Sequence, residues 1–356
     1  MITFYNWVDG DMLNARDGVV EGRSLHTTVS VKAAPEAKIE INCVPATFDG
    51  KYHTAPITLS QYETCVCARD TKTGEQAEML LYWLPDFAGK YRVSLDDNIW
   101  FLRELAEHDY RSIFECAYLA FWKELYDEFG TKTHINIYLK DDDDFTIAAL
   151  SDRYKAEWQA NSHWLRLSFH ARANLPAQPY LNAGYDEMKR DVDAVRAEIE
   201  RFAGKELLGP VTTLHWGDAT VEGCRALRDA GYDILLADFN PPPNNYPVAY
   251  YLTSDTERLH LFDRFAWRDT KEDITFIRCA IIANCYQEEE IVPFLDQLAR
   301  DPHRGAFIDL LIHEQYFFPH YQFYQPNYRD KMRTAVRWAV ENGYEPAFLE
   351  EIAAKW

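Results

Sequence analysis

Two adjacent acidic residues are the clearest sign of chemistry in this sequence. Asp96 and Asp97 follow an apolar run around Tyr91 and Val93, where a strand is predicted to end and a helix to begin. Buried neighbouring carboxylates repel each other, so a fold that keeps such a pair commonly uses it for metal binding or proton transfer. The alternative is structural, because Asp97 can also help to cap the helix that begins near Asn98.

Histidines follow several of the later predicted strands. His170 follows the third strand after residue 90, His215 follows the fourth, and His313 follows the last. Parallel strands of a barrel end on one rim, where such folds carry their reactive groups. His163 precedes the third strand, and at ~3.3 Å per residue it lies on the order of 20 Å from that rim. Two aspartates and three histidines on one rim predict a metal or acid/base site, although a single histidine at such a position is often structural.

The first quarter of the chain has the pattern of a separate β-rich region. Short runs of β-type residues are separated by turn signals such as Asp49-Gly50 and Thr73-Gly74. They predict a small antiparallel β-sandwich-like domain over residues 1–88. The predicted strands are 27–32, 38–44, 64–69 and 79–83.

The remaining residues, 89–356, alternate between strand and helix patterns. Amphipathic helices stop at glycines such as Gly130 and Gly204, and apolar runs of strand length lie between them. The alternation predicts an α/β fold with parallel strands, and the strand count suits a distorted (β/α) barrel of seven or eight strands. Asn98 is expected to cap the first helix. The predicted strands are 92–95, 134–139, 164–169, 211–214, 234–237, 249–252, 276–282 and 307–312.

Composition restricts the partners of the protein. The 356 residues carry a formal net charge of -20, which argues against nucleic acid and against an anionic membrane surface. Ten Trp and 22 Tyr residues suit sugar stacking, although large cores use such rings too. The sequence shows no signal peptide, no apolar run near the ~20 residues of a membrane span, and no disulfide framework among seven cysteines. We expect a cytoplasmic protein, with its oligomeric state left open.

The order of the motifs resembles that of the polysaccharide deacetylases with a NodB-like domain, over about residues 90–350. The matching segments, in chain order, are Asp96-Asp97, His170, His215-Trp216-Gly217 and Leu310-Leu311-Ile312-His313. The resemblance implies that Asp96 is the catalytic base and that His313 is the catalytic acid. It also implies that Asp97 and His170 bind a divalent metal ion.

Three features depart from the family pattern. Asn174 stands where a second metal-binding histidine is usual, Asn98 stands where glycine is usual, and the arginine of the third motif has no counterpart. The third metal ligand is therefore either His215 or Asn174. His215 is favoured, because imidazole outcompetes a neutral amide for zinc-like ions. Zinc is the expected ion, with manganese, cobalt and nickel as alternatives.

The leading hypothesis is metal-dependent hydrolysis of an N- or O-acyl group, such as acetyl, on a carbohydrate. Trp216 and Glu314 are expected to contact the sugar. One alternative is a glycoside hydrolase, in which Glu314 or an acid of the 141–144 run forms a carboxylate pair with Asp96. A second alternative is a barrel without catalytic activity that only binds a glycan.

Overall fold

The computed structural model describes residues 1–239 and 247–356, which form two compact units. The first unit comprises Met1–Ala88, Ala266–Thr275 and Ile352–Trp356. The second comprises Gly89–Phe265 and Phe276–Glu351. No helix within the described part of the chain combines the length and the apolar character that crossing a membrane requires.

Ten strands precede residue 89, where the sequence predicts four. Nearly all of their pairings are antiparallel, and the exception is a parallel pairing between the second and the tenth strand. The predicted run at 38–44 is split in two, because Asn42 and Cys43 adopt positive φ angles of 48° and 65° and form a turn. The strands are β1 (Thr3–Phe4), β2 (Asp11–Leu13), β3 (Val19–Glu21), β4 (Ser24–Lys32), β5 (Ile39–Ile41), β6 (Val44–Pro45), β7 (Thr47–Phe48), β8 (His53–Leu59), β9 (Glu63–Asp70) and β10 (Gln76–Trp83).

Two sheets share the core of the first unit. One contains β4 and β8, and the other contains β9 and β10. Alternate residues of each strand are buried, such as Val29 and Val31 from the first sheet and Leu81 and Trp83 from the second. Because side chains alternate between the faces of a strand, this pattern gives each sheet one buried face.

Strands and helices alternate through the rest of the chain. The strands are β11 (Lys90–Asn98), β12 (Thr133–Tyr138), β13 (Leu165–Ala171), β14 (Val211–Thr212), β15 (Ile234–Phe239), β16 (Pro247–Val248), β17 (Ala266–Asp269), β18 (Ile274–Arg278), β19 (Ile281–Ile282), β20 (Phe307–His313) and β21 (Glu345–Pro346). The α-helices are α1 (Trp100–Glu107), α2 (Ala117–Phe129), α3 (Lys155–Ala160), α4 (Tyr185–Phe202), α5 (Val221–Asp229), α6 (Asp255–Arg264), α7 (Glu288–Ala299), α8 (Tyr328–Glu341) and α9 (Leu349–Ile352). Short 3₁₀ helices span Ile113–Glu115, Ile147–Ala149, Asp152–Tyr154, Lys205–Leu207, His215–Gly217, Ala283–Cys285 and Glu314–Phe317.

The second unit contains the parallel sheet that the alternation predicts. Strand β11 lies at its centre, between β12 and β20, with β13 and β19 outside them, and all four pairings are parallel. Strands β14 and β15 form a further parallel pair. The carboxyl ends of β11, β12, β13 and β20 therefore lie along one edge.

The structure confirms the mixed α/β class, but the described strands do not close into a barrel of seven or eight strands. Strand β14 has only two residues. Among the described pairings, a single bridge connects Leu167 of β13 to Leu208, which lies just before β14. The predicted strand at 249–252 is wrong, because these residues form a turn in which Leu252 N–H donates to the Ala249 carbonyl at 2.9 Å. Its apolar residues are buried as a loop rather than as a strand.

Candidate metal centre

A β-bulge at the end of β11 positions the acid pair. The strand continues through Asn98, so the pair lies within it rather than after it, and the pairing with β12 shifts register between Leu95 and Asn98. Asp97 has a φ of 62°, a left-handed conformation that aspartate adopts more readily than most residues. Asn98 does not cap α1, contrary to expectation. Its amide donates to the carbonyls of Leu95 and Asn136 at 2.8 and 3.0 Å and holds the bulge closed.

Four side chains converge on the Asp97 carboxylate. Oδ1 lies 3.0 Å from His170 Nε2 and 3.0 Å from His215 Nδ1, and it also accepts a short hydrogen bond from the Tyr138 hydroxyl. Oδ2 accepts from the Gln315 amide at 2.7 Å. Burial alone would raise the pKa of Asp97, but when His170 and His215 donate hydrogen bonds to the carboxylate they hold that pKa well below its usual range. The carboxylate is therefore ionised.

The far nitrogen of each imidazole faces a backbone carbonyl. His170 Nδ1 contacts the Thr213 carbonyl, and His215 Nε2 lies 3.2 Å from the Asn174 carbonyl. A carbonyl oxygen only accepts hydrogen bonds, so the nitrogen facing it carries the hydrogen. In a neutral imidazole the other nitrogen then carries the lone pair. Burial lowers the pKa of His170, which favours the neutral ring. Where both rings are neutral, two lone pairs point at one carboxylate oxygen.

This donor set fits a metal ion. The ligand atoms of Asp97, His170 and His215 all lie within 4.8 Å of one another. Ligands held at about 2.0–2.2 Å from one zinc ion are themselves about 3–3.5 Å apart, and the two measured 3.0 Å distances agree with that spacing. A cation also removes the repulsion between the lone pairs and the carboxylate. Backbone carbonyls that orient ligating imidazoles from behind are typical of metal sites.

Tyr138 also belongs to the site, and its position at the end of a strand could have indicated this. It is the last residue of β12, and its hydroxyl lies 2.9 Å from His215 Nδ1 as well as against Asp97. Burial and then the Asp97 charge raise the pKa of Tyr138 well above its usual value, so the phenol keeps its proton. Sequence reasoning considered only acids and histidines at strand ends, and so it missed Tyr138 and the polar residue Gln315.

Asp96 and His313 lie on neighbouring strands beside Asp97. They are opposite each other in the β11–β20 ladder, and both line the same cleft. Asp96 is only 2% exposed, and its Oδ1 accepts from the Asn136 amide at 2.7 Å. His313 Nδ1 lies 2.9 Å from Asn284 Oδ1, which fixes the ring. Burial lowers the pKa of His313, and the Asp97 charge opposes that effect.

The cleft over these residues has a volume of about 440 Å³. Trp216 lies on its wall, is 52% exposed, and has a φ of 68° that costs energy in a bulky residue. Hydrogen bonds on either side hold this conformation. Gly217 N–H donates to the Leu214 carbonyl at 2.7 Å, and Tyr250 N–H donates to the Gly217 carbonyl at 2.6 Å.

Asn174 contributes to the site through its backbone rather than its amide. Its carbonyl faces His215, whereas its side-chain amide donates to Asp142 at 3.0 Å.

Of the 141–144 run, Asp141 and Asp142 line a small cavity beside Asp97. Asp141 accepts from Arg103 at 3.0 Å, and Asp142 also accepts from the Leu175 N–H at 3.2 Å.

Glu314 does not line the cleft that Asp96 and His313 share, contrary to expectation. It is completely buried, and its carboxylate accepts the N–H groups of Ile99, Trp100 and Phe101 at 2.6, 2.9 and 2.7 Å. These groups have no partner within a helix that begins at Trp100, so Glu314 anchors the start of α1. Burial raises the pKa of Glu314 to about 8, and the three N–H groups act in the opposite direction. The carboxylate is therefore unavailable to pair with Asp96 in glycoside hydrolysis.

No protein-family model matches the sequence, and no curated protein matches it either. Several solved structures show a distant similarity. A CE4 family pseudoenzyme from Bacillus anthracis has a TM-score of 0.35 and 10% identity, over 81% of this chain and 83% of that one. A 4-alpha-glucanotransferase from Thermococcus litoralis has a TM-score of 0.45 and 12% identity, over 74% of this chain and 39% of that one. With TM-scores below 0.5, these similarities assign neither a family nor an activity.

Proposed function

We propose that this chain is a metal-dependent hydrolase that removes an N- or O-acyl group from a carbohydrate. The observation that carries the proposal is the orientation of His170 and His215, whose lone-pair nitrogens face one oxygen of Asp97. Two imidazoles and a carboxylate suit a divalent ion, and zinc in particular. Bound there, the ion would supply Lewis-acid chemistry that polarises an acyl carbonyl and makes a water molecule more acidic.

Asp96 takes the proton from the attacking water in this mechanism. Its carboxylate lines the cleft next to Asp97, and the Asn136 amide fixes its orientation. Asp97, in contrast, lies 3.0 Å from both His170 Nε2 and His215 Nδ1. The two acids therefore have separate roles, with Asp97 holding the ion and Asp96 acting as the base.

His313 donates the proton to the leaving amine or alkoxide. Asn284 Oδ1 only accepts hydrogen bonds, so it holds the hydrogen on Nδ1 and leaves Nε2 for proton exchange with the substrate. Burial lowers the pKa of His313, so the ring is neutral in the free protein and acts as the acid only after Nε2 has taken up a proton. Neighbouring strand ends bring Asp96 and His313 to the same cleft, as a base and an acid acting on one substrate require.

The exposed indole of Trp216 supports a carbohydrate substrate. Aromatic rings at a cleft wall offer an apolar surface against which a sugar ring can stack. The order of the sequence motifs resembles that of the polysaccharide deacetylases, which supports an acyl group as the part that is hydrolysed. The motifs are Asp96-Asp97, His170, His215-Trp216-Gly217 and Leu310-Leu311-Ile312-His313. The burial of Glu314 weakens the glycoside-hydrolase alternative.

Acetate release tests this proposal. Protein stripped of metal by a chelator and reloaded with zinc or cobalt is expected to release acetate from N-acetylated oligosaccharides or from O-acetylated xylan. Asp97→Ala should lose both the ion and the activity. Asp96→Asn should keep the ion and lose about 10²–10⁴-fold in turnover, because it removes the base alone.

Two outcomes would reject the mechanism. Wild-type rates in both variants would show that neither acid takes part. Release of reducing sugar without acetate would show that the chain cleaves glycosidic bonds instead. Both readouts come from the same reaction mixture, so one experiment separates these alternatives.

A further inference from the structure

The buried face of helix α8 contains a charged residue. Tyr328, Lys331, Ala335 and Trp338 recur every three or four positions and are all buried, as expected for the inner face of a helix. Lys331 is only 2% exposed. Lysine is rarely buried to this degree unless its charge is paired, because an ammonium group loses much of its hydration inside a protein. A lysine in this position is therefore a candidate for a specific role.

Within the described part of the chain, this ammonium has an amide oxygen rather than a carboxylate as its hydrogen-bond partner. Lys331 Nζ donates to Gln325 Oε1 at 2.7 Å. Burial lowers the pKa of Lys331, and acidic groups that include Glu288 at the start of α7 act in the opposite direction. A hydrogen bond from a charged donor is about twice as strong as one between neutral groups. The contact is therefore strong enough to fix the side chain of Gln325.

The ammonium determines which way round the Gln325 amide lies. Lysine can only donate hydrogen bonds, so the amide oxygen faces Lys331 and the NH₂ group faces the other way. That NH₂ group donates to the Asn284 carbonyl at 2.8 Å, and a carbonyl can only accept. Both contacts require the same orientation of the amide, so each reinforces the other.

Asn284 continues the connection to His313. Its side-chain Oδ1 lies 2.9 Å from His313 Nδ1 and accepts from the His313 backbone N–H at 3.2 Å. Gln325 thus holds the backbone of Asn284, and His313 holds its side chain. A series of hydrogen bonds through Gln325 and Asn284 therefore leads from Lys331 to the imidazole.

Lys331 provides a fixed point for a segment without helix or strand. Gln325 lies among the turns and bends of residues 318–327, between the 3₁₀ helix Glu314–Phe317 and α8. Such segments commonly move more than helices do, whereas Lys331 belongs to a helix of 14 residues. An apolar side chain is often the more stabilising occupant of a buried position. The lysine is therefore better explained by the amide that it holds than by the stability of α8.

We propose that Lys331 is a positioning residue for His313. Through Gln325 and Asn284 it holds the imidazole with its hydrogen on Nδ1, so that Nε2 remains available to the substrate. The role of His313 as the acid rests on the proposed function, whereas the series of hydrogen bonds does not.

Two substitutions separate positioning from a general structural role. Lys331→Met keeps an unbranched apolar stem and removes the cation. Gln325→Glu keeps an acceptor oxygen for Lys331, which then gains an ion pair, but it removes the NH₂ group that binds the Asn284 carbonyl. If Lys331 only stabilised the fold, Gln325→Glu would be harmless. Because Gln325→Glu retains the buried ammonium, it also keeps the test valid if Lys331→Met does not fold.

The tautomer of His313 is the direct readout, because it does not depend on activity. Long-range ¹H–¹⁵N NMR spectra of protein labelled with ¹⁵N-histidine show which ring nitrogen carries the hydrogen, and His313→Gln assigns the signals. At about pH 8, where His313 is neutral, the wild type should carry the hydrogen on Nδ1. Lys331→Met and Gln325→Glu should both give a mixture of the two tautomers. Lys189→Met, which removes a surface ammonium paired with Asp193, is the control and should match the wild type.

Acetate release gives a second readout. In both variants kcat should fall about 10–100-fold with KM and zinc content unchanged, because the acid is misplaced while the substrate and metal contacts remain. A wild-type tautomer in both variants would overturn the proposal, whatever their activity. Altered tautomers in a protein that releases no acetate would keep the positioning role and reject the hydrolase. Altered tautomers with an unchanged kcat would keep the positioning role and reject His313 as the acid.

Discussion

The Asp97 carboxylate determines what the surrounding side chains can do. Its Oδ1 meets two imidazole nitrogens and a phenol, while its Oδ2 meets the Gln315 amide. Asp96, its neighbour in sequence, has a different environment built around Asn136. The bulge in β11 turns Asp97 towards the histidines, so the two adjacent acids have different surroundings.

Tyr138→Phe is predicted to weaken metal binding without abolishing it. The variant removes a hydroxyl that contacts both Asp97 Oδ1 and His215 Nδ1, and residues that orient metal ligands commonly contribute 10–100-fold to affinity. A loss of about tenfold or more is expected in zinc competition against a chromophoric chelator. Tyr324→Phe, at a 38% exposed tyrosine that does not line the cleft, is the control. Equal affinity in all three proteins would contradict an orienting role for Tyr138.

The types of residue in the site could be predicted better than their contacts. The strand-end rule selected Asp97, His170 and His215, which the structure brings together. It could not show that Asn174 acts through its carbonyl, because backbone contacts depend on the path of a loop. Glu314 was misassigned for a related reason. Its neighbour His313 faces the cleft, whereas Glu314 begins a 3₁₀ helix and turns towards α1.

Helix α1 depends on a contact from a distant part of the chain. Its N-cap, Ile99, provides no side-chain hydrogen bond, and Glu314 accepts three of the N–H groups that the helix leaves without partners. Because Glu314 follows β20, the same carboxylate ties α1 to the strand that ends at His313. No local capping motif in the sequence could reveal this arrangement.

Glu314→Gln is predicted to destabilise the protein by about 1–3 kcal/mol. The substitution leaves one acceptor oxygen and places an NH₂ group against buried N–H donors, which leaves donors without a partner. Urea unfolding above pH 8, where Glu314 is ionised, should detect the change. Glu107→Gln, on the same helix, removes only a surface pair with Arg103 and should cost about 0.5 kcal/mol or less. A similar effect of both variants would contradict the anchoring role of Glu314.

At the scale of the whole molecule, many helices and strands could be predicted from the sequence, but whether the strands close into a barrel could not. Apolar periodicity located β11, β12, β13 and β20, and it also located the helices that end near Gly130 and Gly204, because these elements bury one face or both. Closure into a barrel depends on long-range pairing of very short strands such as β14, which local sequence does not specify. The turn at 249–252 shows a second limit, because a buried loop has the same composition as a strand.

The metal-free protein is predicted to lose stability as the pH falls below about 6.5. Burial lowers the pKa values of His134, His170 and His313, so below about 6.5 these residues bind protons in the unfolded state that the folded state does not take up. Each contributes a slope of at most about 1.4 kcal/mol per pH unit to the unfolding free energy. Glu314, whose pKa is raised to about 8, contributes the opposite slope.

His134→Gln isolates one of these contributions. His134 lies below the site, between Arg92 and Ser168, and has no contact with the metal-binding residues among the described hydrogen bonds. Urea unfolding at several pH values between 5 and 7 should give a slope shallower than that of the wild type by about 1.4 kcal/mol per pH unit at most. The Glu314 contribution cancels in this comparison. An unchanged slope would contradict a neutral buried His134.

Binding of a divalent ion by Asp97, His170 and His215 is the central claim, and the zinc content of the protein tests it most directly. Equilibrium dialysis followed by elemental analysis should give one zinc ion per chain for the wild type and for Asn174→Ala, whose backbone carbonyl remains in place. His215→Gln should lose most of the zinc, because it removes one of the two imidazoles that face Asp97. Zinc-free wild-type protein, or equal losses in Asn174→Ala and His215→Gln, would contradict the account.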